Sequence, residues 1–192
     1  MKNIDIMRII TGKYKGRHFD IPRSFKARPT TDFAKENIFN VLNAYIDFDG
    51  ATALDLFAGT GSISLELLSR GCQQVVSVEL DRDHHRFIQQ CVKKLEGAKD
   101  FEGASILIRG DVFRFLKSCK QQFNFIFADP PYALKELASI PDLIFRGSEG
   151  APKLLKPDGI FILEHGKDHN FSQHPHFVEH RHYGSVNFSL FK

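Results

Sequence analysis

The chain has 192 residues, of which 42% are hydrophobic and 26% charged, with a net charge of +3. That size suits one α/β domain with a real core and a small appendage. No apolar run approaches the ~18 residues that a membrane helix needs, and Met1–Asp5 has no apolar stretch of the kind a secretory leader requires. Cys72, Cys91 and Cys119 are far apart and fit no C-x-x-C spacing. They read as ordinary thiols in a reducing cytoplasm.

The charge is uneven. Between Arg8 and Arg28 stand seven basic residues (Arg8, Lys13, Lys15, Arg17, Arg23, Lys26, Arg28) and one acid, Asp20. A basic, glycine-punctuated segment on a near-neutral body points to an anionic polymer as partner; a solvated hairpin with charged outer faces is the plainer alternative. Residues 7–22 read as a β-hairpin, Met7–Thr11 and Arg17–Ile21 flanking a turn at Gly12–Gly16 and ending at Pro22. Pro29, Thr30, Thr31 and Asp32 supply N-cap residues for a helix of about four turns, over 31–46, with Ile38, Phe39, Val41, Leu42 and Tyr45 at helical spacing.

From residue 51 short apolar strands alternate with helices: strands at Ala51–Leu56, Gln74–Glu79, Ala104–Arg109, Phe123–Ala128 and Gly159–Glu164, and helices at about 62–70, 82–96, 112–119, 133–145 and 148–155. Strands without clean alternation are those of a parallel sheet buried on both faces. A final hairpin, Phe177–Arg181 and Val186–Phe191, completes the sheet. No linker splits off a second full domain, so 51–192 reads as one core with 7–30 as a basic extension.

The chemistry gathers at strand ends. Asp55-Leu56-Phe57-Ala58-Gly59-Thr60-Gly61 closes the first core strand and opens its helix, the glycines allowing a tight turn and close approach of a ligand. A dinucleotide fingerprint needs a third glycine where Ser64 stands, so a pyrophosphate cradle is disfavoured. Asp55 instead suits a ligand with an ammonium and no phosphate, such as S-adenosylmethionine. Glu79, at the tip of the second strand, can accept from ribose hydroxyls, with Leu80 beside it. Asp111, before Val112, can accept from an adenine amine; helix capping is the structural alternative, and both roles are compatible.

Asp129-Pro130-Pro131-Tyr132 follows the buried run Phe123–Ala128. The carboxylate can accept from an exocyclic amine, the prolines stiffen the turn so that a carbonyl such as that of Pro130 is aimed at the same amine, and Tyr132 can stack on a base. A stiff turn alone is the plain alternative. The histidine-rich tail (His165, His169, His174, His176, His180, His182) has no acid or cysteine to complete a ligand set, so no metal is expected.

Together these segments resemble Rossmann-like, class I S-adenosylmethionine-dependent methyltransferases. Arg8-Ile9-Ile10-Thr11-Gly12-Lys13-Tyr14-Lys15-Gly16-Arg17, Arg28–Asp32 with Glu36–Asn40, and Tyr183-Gly184-Ser185-Val186 narrow the resemblance to the RsmD family, bacterial enzymes methylating guanine N2 in 16S ribosomal RNA. The resemblance implies an α/β fold with a seven-stranded, mostly parallel sheet, helices on both faces, and an N-terminal hairpin and helix. It implies cofactor contacts from Thr30, Thr31, Asp55, Phe57, Ala58, Gly59, Gly61, Glu79, Leu80, Asp111, Val112 and Asp129. Asp129, Pro130 and Tyr132 would hold the target base, and Arg8, Lys13, Lys15, Arg17 and Arg28 would touch RNA. The implied partner is 16S rRNA in the small ribosomal subunit or its assembly intermediate; monomer is the default expectation. The chain departs from the family at Phe33-Ala34-Lys35, where Arg-x-Arg or Arg-x-Lys is expected. Alternatives left open are a DNA adenine-N6 methyltransferase, disfavoured by the lack of room for a target-recognition region, a protein-glutamine methyltransferase, and a non-catalytic RNA-binding or ribosome-assembly module.

Overall fold

The computed structural model describes residues 5–25, 31–98, 101–146 and 153–192. A two-stranded hairpin, β1 (Ile6–Arg8) and β2 (His18–Asp20), precedes helix α1 (Asp32–Leu42). Alternating elements follow: β3 (Thr52–Leu56), α2 (Ser62–Ser69), β4 (Gln74–Glu79), α3 (Arg82–Glu96), β5 (Ala104–Arg109), α4 (Val112–Ser118) and β6 (Phe123–Ala128). A 3-10 turn at Leu137–Ser139 leads to α5 (Ile140–Arg146), and the chain finishes with β7 (Leu155–His165), β8 (Phe177–Tyr183) and β9 (Val186–Phe191).

The seven-stranded sheet has the order β5-β4-β3-β6-β7-β9-β8. Strands β3 to β7 run parallel, and β9 pairs antiparallel with both β7 and β8. Parallel pairing buries both faces. Along β6, Phe125 and Phe127 enter the core on one side while Ile126 and Ala128 enter the core on the other. The edge strand β5 departs from this, with an exposed-to-intermediate pattern throughout, because it has a neighbour on one side only. The chain leaves β3 toward β4 and β5, then returns to place β6 on the opposite side of β3. At such a reversal the loops diverge and open a crevice at the carboxyl ends of the strands.

Helix α2 is buried along its whole length, from Ser62 to Ser69. One side packs on the sheet; the N-terminal segment covers the other. Glu66, completely buried, accepts from the backbone N–H of Ile10 (2.8 Å) and Thr11 (3.0 Å) and from Arg70 Nε (3.1 Å). Ser69 Oγ donates to Thr11 O (2.6 Å) and accepts from Tyr14 N (2.9 Å). Gly12 (φ +86°) sits so close that a Cβ would lie 1.9 Å from Ser69 O. Met7, Ile9, Tyr14 and Phe19 of this segment join the main core, so the predicted basic appendage has an apolar inner face.

Three expectations need correction. The first helix ends at Leu42, about a turn earlier than the spacing suggests. The continuous helix expected over 133–145 is broken into a 3-10 turn and α5, because Pro141 lacks an N–H and is tolerated only in the first turn of a helix. Of the helix expected at 148–155, residues 147–152 lie outside the described residues, and Leu155 already belongs to β7. Among the described residues, no helix is long and apolar enough to cross a membrane.

Candidate active site

A cavity of about 880 Å³ opens at the strand-order reversal between β3 and β6. The ends of β3, β4, β6 and β7 and the start of α4 supply its walls. It brings together Asp55, Phe57, Ala58, Gly59, Glu79, Leu80, Asp111, Val112, Asp129, Pro130 and Tyr132.

The β3–α2 loop makes the floor. Phe57 is held at φ +60°, a left-handed conformation that costs a non-glycine residue ~1–3 kcal/mol. Gly59 follows at φ +54°, and beyond its own loop nothing stands within 4 Å of where a Cβ would be. That open space is what a ligand needs to lie on the backbone. Gly61 (φ +77°) does a different job from the one expected. It caps α2 and packs on α3, where a Cβ would come within 2.9 Å of Ile88 Cγ1, and it does not line the cavity.

The acids differ in their duties. Glu79 accepts from Gly59 N through Oε2 (2.7 Å) and from Asp81 N through Oε1 (2.7 Å), tying β4 to the glycine loop while still facing the cavity. Asp55 accepts a short bond from Ser64 Oγ, and that oxygen lies 2.7 Å from Ser77 Oγ. Burial pushes the Asp55 carboxyl up to about 7, with the nearby Glu79 charge adding to the effect and the Ser64 bond opposing it. Asp111 caps α4 by accepting from Arg114 N (2.8 Å) and also lines the cavity. Burial, then the charges of Glu164 and Asp55, hold Asp129 well above the usual carboxylate range. Tyr132 is 44% exposed, and its hydroxyl donates to Glu164 Oε1 (3.0 Å).

Thr31 lies off the cavity; its Oγ1 accepts from Ala34 N (3.2 Å) as the N-cap of α1. Thr30 and Arg28 lie outside the described residues. Lys35, at the family departure, is 1% exposed. Its Nζ donates to Arg8 O (2.6 Å) and to the Ser62 hydroxyl (2.9 Å), so it braces the cavity wall from behind. Of the expected RNA-contacting residues, Arg8 pairs with Asp32 (3.0 Å) and Lys13 with Glu102 (3.1 Å). Arg17 donates to Lys94 O (3.3 Å), and Lys15 is exposed. Sequence reasoning missed Thr60, Ser62, Phe113, Phe127 and Glu164, all of which line the cavity. Thr60 stands between two glycines already singled out, and Glu164 ends an apolar strand just as Glu79 does. Among the described residues no group of histidines, cysteines and acids has the spacing to hold a metal ion.

Residues 7–192 match the family described as Conserved hypothetical protein 95. Ribosomal RNA small subunit methyltransferase D of Haemophilus influenzae is 33% identical over 164 residues, which span 84% of this chain and 80% of that one. The chain belongs to the RsmD family. The solved structure of a hypothetical protein from Thermus thermophilus superposes with a TM-score of 0.79 at 28% identity, covering 96% of this chain and 98% of its own. The T. thermophilus 16S rRNA N2 G1207 methyltransferase, solved with AdoMet and guanosine, shares the fold at a TM-score of 0.69 and 18% identity, over 99% of this RsmD-family chain and 50% of that one.

Proposed function

We propose that this chain transfers a methyl group from S-adenosylmethionine to the exocyclic N2 of a guanine in 16S rRNA. It would act in the cytoplasm, as a monomer, on the small ribosomal subunit or its assembly intermediate. The observation that carries this reading is a single cavity lined by both the glycine loop and Asp129-Pro130-Pro131-Tyr132. Its volume suits a nucleoside with an amino-acid arm plus the edge of a base. The named activity of the H. influenzae relative supports the rRNA substrate.

The lining fits the cofactor. Gly59 leaves backbone open to it, and the walls offer carboxylates instead of a phosphate cradle. Glu79 and Leu80 would hold the ribose, Asp111 and Val112 the adenine, and Asp55, with Phe57 and Ala58, the amino-acid end. When bound, the cofactor supplies an electrophilic methyl group on its sulfonium.

The remaining work belongs to the protein. A base's amino nitrogen is a poor nucleophile, so holding it in line is the main contribution. Asp129 accepts one N–H and stabilises the charge that develops as nitrogen bonds to carbon. Its raised pKa also equips it to take the proton the amine must lose. The Pro130 carbonyl takes the second N–H, and the Tyr132 ring, tethered through its hydroxyl, stacks on the base. The target must leave its own stack to enter.

Small subunits from cells lacking the protein, incubated with labelled S-adenosylmethionine and digested to nucleosides, should yield N2-methylguanosine. Asp129→Ala should abolish that product while cofactor affinity stays within a few-fold. Near-normal turnover by the variant would sink the assignment.

A further inference from the structure

Parallel pairing sets Ala128 of β6 against Leu163 of β7. The next residue on each strand is an acid, Asp129 and Glu164, and both line the cavity. Alternation puts them on the same side of the sheet: Phe127, two before Asp129, and Ile162, two before Glu164, enter the same core. Glu164 is only 4% exposed, and the Tyr132 hydroxyl fixes Oε1 at 3.0 Å. The site of methylation therefore holds two buried carboxyl groups side by side where one would serve to hold an amine.

Purine edges differ in what lies next to the amine. Guanine presents N2–H and, beside it, N1–H: two adjacent donors. Adenine presents N6–H beside an N1 lone pair: a donor next to an acceptor. Faced by these two N–H donors and by the cationic cofactor, both carboxyl groups are held in the ionised form, and two adjacent carboxylate acceptors match the first pattern. Against the second, one of them confronts a lone pair in a site that water cannot rescue.

We propose that Glu164 is a specificity-determining residue: it accepts the N1–H of the target base while Asp129 accepts from the amine, so the pocket selects guanine against purines lacking an N1 proton. This rests on the guanine-N2 reading above and supplies its basis for rejecting adenine. Selection of this kind works through the penalty on the wrong base as much as through the bond to the right one.

The test uses RNA with either guanine or 2-aminopurine at the methylated position. 2-Aminopurine keeps the N2 amine but has a lone pair at N1. Wild-type protein should prefer guanine by roughly 10- to 100-fold in kcat/KM, the worth of one hydrogen bond to a buried charge. Glu164→Gln, whose amide can donate to a bare N1, should bring the two substrates to within a few-fold of each other. Equal rates on both bases by wild type would overturn the proposal without any variant. An undiminished preference in a folded Glu164→Gln would overturn it as well. No methylation of any guanine, with S-adenosylmethionine binding intact, would overturn the parent reading instead.

Discussion

Replacing Glu66 with glutamine tests how firmly the N-terminal segment is built into the core. The side chain is fully buried, with Ile10 N at Oε2 and with Thr11 N and the Arg70 guanidinium at Oε1. Lys35 Nζ lies 3.9 Å from Oε2. An amide cannot satisfy this set. Turned one way, its NH2 faces the N–H of Ile10 and the Lys35 ammonium; turned the other, it faces Thr11 N–H and Arg70. Arg70 also loses its carboxylate partner, and Lys35 is left with Asp32, 3.9 Å away. Breaking a buried pair in this manner costs about 3–5 kcal/mol. For a chain of this size that corresponds to a fall in Tm of about 10 °C. Thermal melts followed by circular dichroism read the loss. Hydrogen exchange locates it: the amides of Ile10 and Thr11 should lose protection before those of Val76 in β4. A Tm within about 2 °C of wild type, or unchanged exchange at Ile10 and Thr11, would refute the reasoning.

Asp55 predicts a pH dependence of stability. Its carboxyl sits at about 7 in the fold against 3.8 for an ordinary aspartate, so the native state keeps the proton longer than the unfolded chain does. The favourable contribution is complete below about pH 4 and disappears as pH rises through about 7, a loss of up to about 4 kcal/mol. Asp55→Asn should therefore gain stability relative to wild type between pH 5 and pH 8 in urea titrations; parallel profiles would contradict the assignment. Gly12 and Gly16 have nearly equal φ angles, +86° and +83°, but only Gly12 faces a backbone wall. Gly16→Ala should cost about 1–2 kcal/mol of strain, and Gly12→Ala clearly more, with the same local exchange signature as Glu66→Gln; equal losses would show that the contact with Ser69 is unimportant. Removing Lys15 and Arg17 together should weaken RNA binding and lower the slope of log affinity against log salt by about 1.4, and an unchanged slope would move the RNA to another face.

The strands at Gln74–Glu79, Ala104–Arg109 and Phe123–Ala128 match their sequence bounds residue for residue, because each is an apolar run closed by a polar turn, a local signal. β7 is longer than expected: the strand placed at Gly159–Glu164 begins at Leu155 and runs through Pro157 with irregular register against β6. The glycine loop and the acids Asp55, Glu79, Asp111 and Asp129 were legible because each sits at a recognisable strand end. Glu164 was equally placed but carried no meaning until β6 and β7 were known to be neighbours, and strand order is not written in any single segment. The sequence marks Lys35 only as part of a departure from the family pattern, and no local signal announces its burial. It is buried because its partners, Arg8 and Ser62, are each 27 residues away.

Helix α2 gives this protein an unusual mechanical economy. Its first residue follows directly on the glycine loop, and its outer face is the seat of the segment that carries the basic residues. The N-terminal segment and the floor of the cavity are thus joined through one buried helix. On the function proposed above, RNA pulling on the hairpin would load the floor of the cavity through α2, so the two surfaces would not be tuned separately. The same arrangement rules out modular exchange: grafting a different RNA-reading hairpin requires redesign of Glu66, Ser69 and their neighbours on α2 as well.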